Sequence, residues 1–157
     1  MKSKINLQRV AVIGSGIMGS RIACHMANVG LDVLLLDIAP FSLNAAEEKA
    51  GLALDHPRVK NRIVNDALKA TLKSKPTSLY KKDFINRVHT GNLSDDFEKI
   101  GDADWIIEVV VERLDIKKQV FEKVEKYRKS GSIVSSNTSG IPIHQMLEDR
   151  SDDFKSH

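Results

Sequence analysis

The sequence predicts an α/β protein: a doubly wound, mainly parallel sheet with a helical insertion after its second strand. Three observations carry this. Four short apolar runs, Val10–Ile13, Val33–Leu36, Trp105–Val111 and Ile133–Val134, are β-rich and near-continuous, as strands covered on both faces are. Helical patterns fall between them, which gives βαβ units. The first run passes straight into a glycine-spaced turn, GSGIMG, and then into a helical pattern.

Each element has its own signal. Val10–Ile13 is the first strand. Ile17–Val29 reads as a helix closed by Gly30, a residue suited to the position after a helix end. Val33–Leu36 is the second strand and ends in Asp37. Residues 41–87 break the alternation and read as helices over Ser42–Gly51, Lys60–Lys73 and Asp83–Asn86, with Pro57 and Pro76 bracketing the middle one. Val88–His89 is a weaker strand, and Trp105–Val111 a strong one in which Trp105 is expected in the core. Ile116, Val120, Val124 and Tyr127 recur at helical spacing, and that helix ends at Gly131. Ile133–Val134 is the last strand. Ile141–Leu147 then carries Pro142 near a helix start, where a missing N–H costs nothing. Right-handed crossovers leave few topologies for such a chain.

Composition narrows the function classes. The 157 residues suffice for one domain with a core, here 1–157. A net charge of +3 gives no argument for nucleic acid. The single cysteine, Cys24, excludes an internal disulfide and fits a reducing compartment, so a cytoplasmic protein is expected. The basic start MKSKI lacks an apolar segment behind it, and no run reaches the roughly 20 apolar residues that span a membrane.

The chemistry starts at the glycine turn. Gly14 permits the tight turn, Gly16 lets backbone approach a diphosphate, and Gly19 lets helix and strand pack closely; Ile17 and Met18 lie between them. Free N–H groups at the helix start attract an anion. Asp37, about 20 residues on, is placed to accept from the ribose hydroxyls of a dinucleotide and to repel a 2′-phosphate, which favours NAD over NADP. The plain alternative is a tight turn with a capping aspartate. In an open parallel sheet the strands' carboxyl ends share one edge, where ligands bind. Gly14, Asp37, Glu108, Glu112 and the polar run Ser135–Ser139 all belong to it. That run either serves a nicotinamide ribose or substrate oxygen, or caps the next helix.

GSGIMGSRIA, LLLDI, DWIIEVVVERLDIK and SSNTSG, in that order, resemble the Rossmann-type NAD-binding domain of the 3-hydroxyacyl-CoA dehydrogenases. The likeness covers nearly the whole chain, and its last two motifs are more specific than the glycine pattern. The insertion and the VERLDIK wording resemble the large bacterial forms, where more dehydrogenase sequence follows, often with an enoyl-CoA hydratase region. The resemblance implies NAD as cofactor, an acyl-CoA substrate, and oxidation of (S)-3-hydroxyacyl-CoA to 3-oxoacyl-CoA in fatty-acid β-oxidation. A histidine oriented by a glutamate removes the hydroxyl proton as hydride leaves. The resemblance further implies cofactor contacts for Glu112 and Lys117, a bond from Ser139 to substrate oxygen or nicotinamide ribose, and loop support from Asn137. Gly140 departs from the serine many members have there.

The family's base stands in a His-Phe-Phe-Asn-Pro motif that this chain does not contain. His25, His56, His89 and His144 lack the expected setting; His157 is the nearest candidate in sequence. The expectation is therefore a Rossmann fold truncated at its C-terminal end, with the catalytic His and Glu beyond His157, that binds NAD(H) without turning over. Its last sheet edge would be left uncovered, so self-association is expected. Arg62, Asp66, Lys69 and Lys73 form one stripe of the middle helix. This is either a solvated face or, for Lys69 and Lys73, a contact to CoA phosphates. Two other functions share the first half of the pattern: a dehydrogenase of other small hydroxy acids or sugar nucleotides, and a non-catalytic dinucleotide-binding regulator.

Overall fold

Alternation along the strands builds two cores at once. In β1 (Arg9–Ile13), Val10 and Val12 point to one face of the sheet, and Ala11 and Ile13 to the other. In β2 (Asp32–Asp37), Val33 and Leu35 join the first face, Leu34 and Leu36 the second. Side chains two apart share a face, and both faces are covered, so the runs contain no polar alternation. The computed structural model describes residues 6–157. The reading of the basic start MKSKI falls outside the described residues.

Among the described residues, five strands form one parallel sheet in the order β3-β2-β1-β4-β5, where β3 is Val88–Asn92, β4 Trp105–Glu108 and β5 Ile133–Ser136. The sequence order turns back at β1, so the crevice for a ligand opens between the carboxyl ends of β1 and β4. One face packs on α1 (Ile17–Asn28) and on α4 (Arg62–Lys73) of the insertion. The other packs on α5 (Leu114–Tyr127) and on the segments carrying Phe97, Met146 and Phe154.

Several boundaries differ from the sequence reading. Trp105–Val111 stops as a strand at Glu108, because the Glu108 carboxylate takes the Val110 N–H at 2.7 Å and turns the chain out of the ladder. Trp105 is half-buried, not fully in the core, and its indole N–H donates to Ser135 at 2.9 Å. The last strand runs on through Ser135 and Ser136, so only residues 137–140 of the polar run form a loop. Both of those serines satisfy their hydroxyls inside the fold.

The insertion is more broken than expected. Ser42–Gly51 shrinks to α2 (Ala45–Lys49), fixed by a capping box in which Asn44 and Glu47 exchange bonds at 2.9 Å. The middle helix, read as Lys60–Lys73, runs as α4 from Arg62 to Lys73, and a separate short piece, α3 (Pro57–Lys60), precedes it across Asn61. The Asn61 side chain is held by buried Asn92 of β3 at 2.9 Å. Asp83–Asn86 is a 3₁₀ turn over Lys82–Arg87. A second 3₁₀ turn, Phe97–Asp102, replaces the crossover helix between β3 and β4. The run Ile141–Leu147 yields only α6 (Ile143–Met146), with Pro142 capping it from outside. A final helical turn, α7 (Asp152–Lys155), follows, capped by the Ser151 hydroxyl, which accepts from the Phe154 N–H. Among the described residues, no helix is long and apolar enough to cross a membrane.

Candidate functional site

The three glycines of the first turn are needed for three different reasons. Gly14 has φ +107°, and a side chain there would come within 2.4 Å of the Val109 carbonyl oxygen. At Gly19 an added Cβ would stand 1.8 Å from the Gly14 oxygen, so α1 can start this close to β1 only without one. Gly16 is the opposite case: it is exposed, and nothing lies within 4 Å of the added atom. Open space therefore sits against bare backbone. No side chain caps α1, which leaves its first N–H groups and the positive end of its dipole facing that space. Ile17 and Met18 form the exposed apolar lip of the turn.

Asp37 completes this half. Its Oδ2 accepts from the Ser15 N–H at 2.6 Å and hydroxyl at 2.5 Å, and its Oδ1 from the Ile38 N–H at 2.7 Å. The carboxylate is thus locked beside the glycine turn. It is half-buried, and Oδ1, which accepts one bond where Oδ2 accepts two, retains capacity for another donor. Beyond it lies a cleft of about 570 Å³ lined by Ile38, Phe41, Leu54, Ile116 and the stem of Lys123. Phe41 is 87% exposed there, a large apolar surface next to a polar site. Bare N–H groups, an acid for vicinal hydroxyls and an apolar slot fit the adenosine diphosphate part of a dinucleotide.

The other half is a charge network. Lys117 enters from the first turn of α5 and is fully buried, as is Glu108 at the end of β4. The ammonium lies 2.8 and 2.9 Å from the two Glu108 oxygens and 3.3 Å from Glu112. A cation at a helix N-terminus opposes the dipole; two carboxylates offset that. Glu112 in turn accepts from the Thr138 hydroxyl at 2.6 Å, the Gly140 N–H at 2.9 Å and the Ser139 N–H at 3.1 Å. These donors, the Thr138 hydroxyl and then the Gly140 N–H foremost, hold its carboxyl down to about 2. Ser139 and Asn137 are exposed, with Asn137 anchored by its own N–H to the Glu108 carbonyl at 2.8 Å.

Sequence reasoning pointed to Gly14, Gly16, Gly19, Asp37, Glu112, Lys117, Asn137 and Ser139, and the fold brings all of them to one edge. Lys117 reaches that edge only from behind Glu112. Lys69 and Lys73 are elsewhere: Lys69 is exposed on α4 beside Asp66 at 4.0 Å, in a shallow groove with Arg58 and Arg62. Ser15 was missed; Ser136 and Thr138 were read only as members of the polar run, and Glu108 only as an acid at a strand end. The last had a signal, an acid closing a buried strand with a lysine on the following helix.

The histidines form no acid–base pair at this edge. His25 lies in the last turn of α1, at its far end from the glycine turn. His56 accepts from the Arg58 N–H at 3.1 Å, and His89 sits within β3. His144 is exposed on α6. His157 bonds the Asp153 carbonyl at 2.8 Å, and its own carbonyl accepts from the Val134 N–H at 3.0 Å on the outer edge of β5.

Residues 9–156 match the family described as 3-hydroxyacyl-CoA dehydrogenase, NAD binding domain. Over 97% of the chain, 53% of residues are identical to a probable 3-hydroxyacyl-CoA dehydrogenase of Bacillus subtilis, of which the match covers 19%. Over 96% of the chain, 41% are identical to a putative fatty acid oxidation complex trifunctional enzyme of Rickettsia felis, again covering 19% of it. Among solved structures, 3-hydroxybutyryl-CoA dehydrogenase of Escherichia coli superposes with a TM-score of 0.61 at 28% identity, over 94% of this chain and 28% of that one. The chain thus spans about a fifth of the length of the two curated relatives.

Proposed function

Since this chain belongs to the family of 3-hydroxyacyl-CoA dehydrogenase NAD-binding domains, we propose that it holds NAD(H) along the carboxyl edge of its sheet. It would serve as the nucleotide half of an enzyme that oxidises (S)-3-hydroxyacyl-CoA in fatty-acid β-oxidation. The observation that carries this is the pairing of the open glycine turn with Asp37, 2.6 Å from its Ser15 N–H. The diphosphate meets the uncapped start of α1, the adenosine ribose meets Asp37, and adenine takes the slot beside Ile38 and Phe41. The nicotinamide end then falls against Glu112 and the 137–140 loop, where Ser139 offers a hydroxyl to the ribose or to substrate oxygen. When bound, the nicotinamide accepts or gives the hydride.

The base that takes the alcohol's proton lies, on this reading, outside residues 6–157. No described histidine combines a place at the Ser139 edge with a carboxylate to orient it, the geometry general-base chemistry requires. Residues 1–157 are then one domain, and the acyl-CoA is held with the help of further sequence. Alone, the chain binds cofactor and does not turn over. The outer edge of β5, bonded by the His157 carbonyl at Val134, leaves the Ser136 N–H side for pairing, and we keep self-association as the expectation for the isolated chain.

The test is a titration with NADH and NADPH, followed by an assay with acetoacetyl-CoA and NADH. Tight NADH binding, weak NADPH binding and no NADH consumption are expected. Failure to bind NADH sinks the site; robust turnover sinks the placement of the base.

A further inference from the structure

Glu108 is an acidic side chain fully buried at the carboxyl end of β4, between β1 and β5. A carboxylate is seldom kept there unless its partners need it. Every part of it is engaged: Oε1 takes the Val110 N–H at 2.7 Å and the Lys117 ammonium at 2.8 Å, and Oε2 takes Lys117 at 2.9 Å and the Ser136 hydroxyl. Ser136 is the last residue of β5, immediately before the polar loop. The same ammonium touches Glu112, which holds the other end of that loop through Thr138, Ser139 and Gly140. Glu108 itself does not face the open edge.

We infer that Glu108 is a positioning residue for the nicotinamide end of the cofactor site. It fixes Lys117 and Ser136 and, through them, both ends of the 136–140 loop. The inference rests on the reading of this edge as an NAD(H) site. The adenosine diphosphate half is built from other parts, the glycine turn and Asp37, and has no bond to Glu108. Removing the Glu108 charge therefore weakens one half of the site and spares the other. A residue needed merely for folding would affect both halves alike.

The experiment compares two probes, NADH and ADP, titrated calorimetrically into the full chain as wild type, Glu108→Gln and Ser136→Ala, with circular dichroism as the check on folding. Glu108→Gln keeps the shape and loses the charge. Its NADH affinity is expected to fall about tenfold while ADP affinity stays within about twofold, the size of one charge-assisted hydrogen-bond network lost. Ser136→Ala, which leaves the buried ion pair intact, is expected to lose about threefold for NADH with ADP again unchanged. Should Glu108→Gln not fold, Ser136→Ala decides by the same split. Equal losses for both probes, or no loss for either, overturn the inference. Wild-type protein that bound neither probe would overturn the site reading and this inference together; unchanged variants of a wild type that binds both overturn this inference alone.

Discussion

Gly19 sits so close to Gly14 that a Cβ on the first would lie 1.8 Å from the carbonyl oxygen of the second. Helix α1 starts against the end of β1 with no room for a side chain, and that contact aims the helix N-terminus at the open space beside Gly16. Gly19→Ala must push α1 away from the sheet. Overpacking of this kind costs about 3 kcal/mol. Chemical denaturation should show that loss, and NADH binding should disappear in the fraction that remains folded. Gly16→Ala, with open space at its Cβ, should fold normally and lose NADH affinity alone.

On the proposed reading, Asp37 decides between the two dinucleotides. Asp37→Ala removes a charged acceptor for a ribose hydroxyl, a change of about 2 kcal/mol or some thirtyfold in NADH affinity. NADPH, which the carboxylate repels, should gain or hold its affinity. Fluorescence titration of both cofactors checks this, and an undiminished NADH preference would count against the assigned role.

Glu112 makes the loop pH-sensitive on the acid side. Its carboxyl is held to about 2 in the folded protein, first by the Thr138 hydroxyl and then by the Gly140 N–H, against an ordinary value of 4.5. Its folded pKa is the lower one, so its contribution is complete above pH ~4.5 and is lost as pH falls towards ~2. Asp104 works in the same direction: burial raises its carboxyl, but Lys129 and the N–H groups of Arg9 and Gln8 prevail and bring it to about 2. Thermal melts of wild type and Glu112→Gln should differ at pH 7 and converge as pH drops through that window.

Lys117→Met should be far more damaging than its surface neighbours. It strands Glu108 as an unpaired buried charge, which costs about 3–5 kcal/mol. The double variant Glu108→Gln, Lys117→Met should recover much of that stability without recovering NADH affinity. Urea denaturation and calorimetry separate the two outcomes.

Gly140 should accept a serine. The atom added there meets only Glu112 Oε1, at 3.7 Å, which is ordinary contact. Gly140→Ser is expected to keep NADH affinity within about twofold and to leave stability unchanged within ~0.5 kcal/mol. A large loss would mean that the loop needs glycine's freedom.

The strands, the glycine turn and the acid after β2 were legible because each is a local rule. Continuous apolar runs mark strands covered on both faces, and the glycine positions answer to contacts one turn apart. Val10–Ile13 and Val33–Leu36 needed no knowledge of their neighbours to be read. The insertion was less legible: Asn61 breaks a helical pattern because Asn92, from a distant strand, holds its side chain, and no periodicity records that.

The sequence by itself determined the parallel doubly wound sheet, the order of its motifs and the family they belong to. Tertiary structure alone decided that Ser135 and Ser136 are strand residues, that Lys117 stands behind Glu112, and that Glu108 joins two ends of one loop. The reason is physical. Backbone geometry and hydrophobic spacing act over a few residues and leave a trace in the local pattern, whereas a buried ion pair depends on which strands the sheet sets side by side. Glu108 and Ser136 are neighbours only because β4 pairs with β5 in this register.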